Sequence, residues 1–75
     1  MAIVRNLKHL VLERDSEHSE SECSYSIVVD SDGKNNLQID TYGSTKRQIP
    51  GKKSQSIRFS PEAISQLKKI LAQSF

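Results

Sequence analysis

Ile57-Arg58-Phe59-Ser60-Pro61-Glu62-Ala63-Ile64-Ser65-Gln66-Leu67-Lys68-Lys69-Ile70-Leu71 holds a change of period. Up to Phe59 the apolar residues alternate, as in a strand: Gln55, Ile57 and Phe59 face one way, Ser54, Ser56 and Arg58 the other. Beyond Ser60 the apolar positions are Ile64, Leu67, Ile70 and Leu71, which is helical spacing. The junction carries helix-start chemistry. Ser60 suits the N-cap, Pro61 the first helical position, and Glu62 meets the positive end of the macrodipole. The sequence therefore predicts a strand over 54–59 that runs directly into a helix. The stripe of Ile64, Leu67, Ile70 and Leu71 is expected to pack on the sheet or on a partner helix.

Working back from this junction, residues 43–53 (GSTKRQIPGKK) form a loop in which Pro50-Gly51 fits a type II turn. Before it, Leu37, Ile39 and Thr41 alternate with Gln38, Asp40 and Tyr42, a strand. The stretch 31–36 (SDGKNN) contains Asp32-Gly33 and Asn35-Asn36, which tolerate positive φ and turn the chain back. Residues 23–30 (CSYSIVVD) place Cys23, Tyr25, Ile27 and Val29 on one face and Ser24, Ser26, Val28 and Asp30 on the other, the pattern of a half-buried strand. Residues 15–22 (DSEHSESE) read as an acidic loop. Residues 3–14 (IVRNLKHLVLER) fit either period, and a strand is chosen because the next strand needs a pairing partner. The expected fold class is α+β: one domain over 1–75, a four-stranded antiparallel sheet followed by one C-terminal helix.

A chain of 75 residues has little core to build. A domain of this size buries only about 60% of the surface of its unfolded chain. The apolar share is 35%, with no Trp. Cys23 is alone, so no intrachain disulfide can help. Association is the remaining remedy, and a homodimer is expected. The N-terminal residues lack the continuous apolar run and small-residue cleavage site of a signal peptide. No stretch reaches the length of a membrane helix. The expected location is cytoplasmic or nucleoid-associated, with no membrane partner.

The net charge of +2 conceals an asymmetry. Residues 1–40 sum to −4, and residues 41–75 to +6. Lys46, Arg47, Lys52, Lys53 and Arg58 fall within 13 residues, and 43–59 contain no acid. Clustered cations suit a polyanion, because each Lys or Arg that meets a phosphate releases a counterion. Tyr42, at the end of the preceding strand, offers a ring on which an unpaired base can stack.

Other chemistries fail on their spacing. Gly51-Lys52-Lys53-Ser54 lacks the leading Gly of a phosphate-binding loop, which would fall at Lys46, and a strand follows rather than a helix. His9, His18 and Cys23 do not make a zinc set, and the acidic loop lacks the spacing of a calcium loop. Cys23, in phase with Tyr25 and Ile27, reads as a small buried hydrophobe rather than a nucleophile. Asp30, Asp32 and Asp40 include a turn residue and make no evident acid–base pair. The expectation is no enzyme, no cofactor, no metal and no small-molecule substrate.

Residues 37–71 also resemble a known family. Leu37-Gln38-Ile39-Asp40-Thr41-Tyr42, the basic loop with Pro50-Gly51-Lys52-Lys53, Ile57-Arg58-Phe59-Ser60-Pro61-Glu62 and Ser65-Gln66-Leu67-Lys68 together resemble the positive-cofactor-four family of transcriptional coactivator-like proteins, which bind single-stranded DNA. The resemblance implies a curved four-stranded sheet before a dimerising helix. It places Tyr42 at the aromatic position, Lys52 and Lys53 at the basic pair, and Ile64, Leu67 and Leu71 at the helix interface. The chain departs from that pattern at Ile64, where the family has Trp, and at Ser54, where it has Gly. The stretch between Gly51 and Pro61 is also about two residues longer.

Overall fold

The computed structural model describes residues 1–18, 20–42 and 53–75, with Lys53 described by its backbone alone. Four strands precede one helix: β1 Ala2–Val4, β2 Cys23–Val29, β3 Asn35–Tyr42, β4 Lys53–Phe59 and α1 Pro61–Ser74. They form one sheet in the order β1-β4-β3-β2. The α+β class and the C-terminal helix hold. The wholly antiparallel sheet does not. β2–β3 and β3–β4 are antiparallel, whereas β1 runs parallel to β4.

The β2–β3 hairpin is fixed by Asp30. Its Oδ1 accepts the N–H of Asp32 and of Lys34, both at 2.9 Å, and its Oδ2 accepts from Asn36 Nδ2 at 3.0 Å. Gly33 sits at φ +76°, the left-handed position that a three-residue hairpin loop requires. At the other end of the sheet, Ser60 caps α1. Its Oγ accepts the Ala63 N–H at 3.2 Å, with Pro61 at the start of the helix.

The strand expected over 3–14 is cut to Ala2–Val4, and it does not pair with β2. Its partner runs out. Val4 lies opposite Phe59, the last residue of β4, and the Val4 carbonyl accepts the Ser60 N–H at 2.9 Å. The next residue, Pro61, has no N–H to offer and already belongs to the helix. The chain then leaves the sheet along α1, where Leu7 N–H donates to Gln66 Oε1 at 2.7 Å and Gln66 Nε2 donates to Asn6 Oδ1 at 2.9 Å. Leu10, Val11 and Leu12 are exposed.

Packing is thin. α1 lies nearest β3 and β4. Among the described residues, Ala63 is the one fully buried apolar side chain. Ile64 and Leu67 are half-buried, while Ile70 and Leu71 remain 41% and 50% exposed. β2 lies beyond the helix. Cys23 is exposed rather than buried, and Tyr25, Ile27 and Val29 on the same face are 75%, 68% and 63% exposed. The half-buried reading of β2 and the buried reading of Cys23 are thus overturned, because among the described residues no second layer covers that end of the sheet. The molecule is a slab of 37 × 37 × 19 Å. Its accessible surface is 6905 Å², against about 4,700 Å² for a folded monomer of this mass.

Candidate nucleic-acid interface

The strand register sorts the site residues onto faces. Ser24, Asp40 and Ser56 form one cross-strand row, and Ser26, Gln38 and Arg58 the next. Side chains two apart on a strand share a face, so Tyr42 joins Gln38 and Asp40. This polar face lies opposite the apolar one that carries Tyr25, Ile27, Leu37, Ile39, Ile57 and Phe59.

Arg58 is held firmly. Its Nε and Nη2 both donate to Gln38 Oε1, at 3.1 and 2.6 Å. Gln38 turns its amide the other way, and Nε2 donates to both oxygens of Asp40, at 3.1 and 3.2 Å. Asp40 is buried, and its neighbours leave its charge little access to water. The chain Arg58–Gln38–Asp40 therefore orients a guanidinium on the open face while sinking a carboxylate beneath it. Met1, Ala2, Ile3, Gln38, Ser56 and Arg58 line an open depression of about 300 Å³ there.

Tyr42 stands at the far end of the same face. Its Oη shares a hydrogen bond of 2.8 Å with Ser24 Oγ, which fixes the ring over β2 and leaves it half-buried. Tyr42 and Gln38 are four residues apart, about 14 Å along the strand. A second depression, of about 460 Å³, lies between Thr41, Tyr42, Ser54 and Gln55 and the acidic segment at Ser16, Glu17, His18 and Ser21.

Of the expected binding residues, the structure places Tyr42 and Arg58 on one face. Lys46, Arg47 and Lys52, with the Pro50-Gly51 turn, lie outside the described residues, as does the Lys53 side chain. The Lys53 backbone is paired with Tyr42, so β3 ends and β4 begins beside that ring. Alternation within each strand groups Gln38 with Asp40 and Tyr42, Ser24 with Ser26, and Ser56 with Arg58, and the register brings these groups to one side. Alternation gave no sign that Gln38 would bridge Arg58 to Asp40, which depends on register between two strands.

No protein-family profile, curated protein or solved structure matches the chain. Among the described residues, no helix is long and apolar enough to cross a membrane, and no group of three or more metal-ligating side chains converges.

Proposed function

We propose that this chain is a single-stranded nucleic-acid-binding protein that works as a homodimer and has no catalytic role. The observation that carries the reading is the polar face. A fixed Arg58 and a fixed Tyr42 sit on one face, and the sequence between Tyr42 and Arg58 is rich in cations and free of acids. Lys46, Arg47, Lys52, Lys53 and Arg58 supply phosphate contacts, Tyr42 supplies stacking, and Gln38, Ser24 and Ser56 supply hydrogen-bonding groups. Binding of this kind depends steeply on salt and weakly on sequence. Fluorescence titration of a labelled oligonucleotide at two salt concentrations tests it, and absence of binding at low salt would end it.

The dimer draws its support from the thin packing. With one buried apolar side chain among the described residues and a large surface excess, the chain gains stability by association. That same excess favours a second reading, a protein-interaction module that binds no nucleic acid. Recovery of one stoichiometric partner protein, unaffected by nuclease, would support that reading instead.

A further inference from the structure

Strand β2 is an outer strand, and its two ends reveal which of its backbone groups are occupied. The Tyr42 N–H donates to the Glu22 carbonyl, and the Asp30 N–H donates to the Lys34 carbonyl, each at 2.9 Å. Both pairs continue the ladder that sets Ser24 against Asp40, Ser26 against Gln38 and Val28 against Asn36. Directly bonded pairs alternate along an antiparallel ladder. The even-numbered residues of β2 therefore bond to β3. The N–H and C=O groups of Cys23, Tyr25, Ile27 and Val29 point away from the sheet, and they have no partner among the described residues.

An outer strand with open backbone groups is ordinarily blunted by charge, proline, a bulge or short length. β2 has none of these. It runs for seven residues as Cys-Ser-Tyr-Ser-Ile-Val-Val, and its register with β3 is unbroken. The opposite edge of the sheet, β1, is only three residues long.

We propose that β2 pairs antiparallel with β2 of a second copy of this chain, about a two-fold axis at Ser26. The strand is its own complement. A single register satisfies every outward group on both strands: Cys23 opposite Val29 of the second copy, and Tyr25 opposite Ile27 of the second copy. Aromatic and β-branched residues then meet across the seam, a favourable cross-strand combination. Glu22 and Asp30 of opposite copies meet at its two margins, so the seam tightens as salt rises. Pairing also lengthens the polar face. The row Arg58–Gln38–Ser26 continues through the second copy to its own Arg58, five strand spacings or about 24 Å away. This last consequence rests on the nucleic-acid reading above; the pairing itself does not.

The test places cysteines in the full-length chain with Cys23 changed to Ser and nucleic acid removed. At the axis, Ser26 faces Ser26 of the second copy in a non-hydrogen-bonded pair, with Cα atoms about 4.5 Å apart, within disulfide range. Ser26→Cys is expected to give a disulfide-linked dimer on mild oxidation, about tenfold or more faster than Ser65→Cys on the exposed side of α1. Added salt is expected to speed the Ser26→Cys link, whereas it weakens nucleic-acid binding. A Ser26→Cys chain that stays monomeric, or links no faster than Ser65→Cys, overturns the proposal. Ile27→Lys is expected to shift the sedimenting species from dimer to monomer with its far-ultraviolet circular dichroism unchanged. A folded Ile27→Lys dimer also overturns it. Because the crosslink is read without nucleic acid, its outcome and that of the oligonucleotide titration are separable.

Discussion

Arg58 and Gln38 are joined by two hydrogen bonds to a single oxygen, so the guanidinium on the polar face has one preferred orientation. An immobilised cation meets a phosphate at a lower entropic cost than a free side chain does. Arg58→Gln is therefore expected to weaken oligonucleotide binding for all sequences alike. It should also lower the slope of log affinity against log salt by about 0.7. Titrations of wild type and variant across a salt series check this, with circular dichroism to confirm that the sheet persists.

Tyr42 separates stacking from hydrogen bonding. Tyr42→Phe loses the Ser24 bond, at about 1 kcal/mol of stability, and keeps the ring. Tyr42→Ala loses the ring and is expected to cost about 1–3 kcal/mol of binding. Comparable binding by Tyr42→Ala and wild type would remove Tyr42 from the interface.

Ser60 is the hinge between sheet and helix. Its N–H ties β1 to the end of β4, while its hydroxyl caps α1. Ser60→Ala is expected to lower stability by about 1 kcal/mol through loss of the cap, read as a fall in the denaturant midpoint. Ser60→Asp, which restores an acceptor at the cap, is expected to recover part of that loss.

Asp30 makes the hairpin acid-sensitive. The Lys34 N–H, then the Asn36 amide and the Asp32 N–H, hold its carboxyl below the usual carboxylate range, helped by the Lys34 charge. A carboxyl whose folded pKa lies below its unfolded value contributes stability above the unfolded value, near 4, and loses it as pH falls through the folded one. Glu62 behaves in the same sense, through its own backbone N–H and the Ser60 hydroxyl. Stability is expected to decline below about pH 4. Asp30→Asn is expected to be less stable than wild type at neutral pH and to show a shallower decline in acid. Denaturation midpoints over a pH series check both.

The legible parts of this fold were those decided locally. Ser60-Pro61-Glu62 announces the helix, Asp32-Gly33 the hairpin, and the alternation of Gln38 with Ile39 the two faces of β3. What escaped the sequence depends on distant partners. Val4 ends its strand because Phe59 ends the strand beside it, and no feature of residues 3–14 carries that information. Tyr25, Ile27 and Cys23 alternate as core residues do, yet the sequence does not say whether the second layer comes from the same chain. In the site, Tyr42 and Arg58 were recognisable by residue type. The Gln38 bridge was not, because it exists only in the β3–β4 register.

The most direct measurement is the affinity of the full chain for a labelled single-stranded oligonucleotide as a function of salt. If all five cations from Lys46 to Arg58 meet phosphates, log affinity is expected to fall with log salt at a slope of about −3.5, with little change between sequences. Failure to bind at low salt, or binding indifferent to salt, would contradict the assignment of the polar face to nucleic acid.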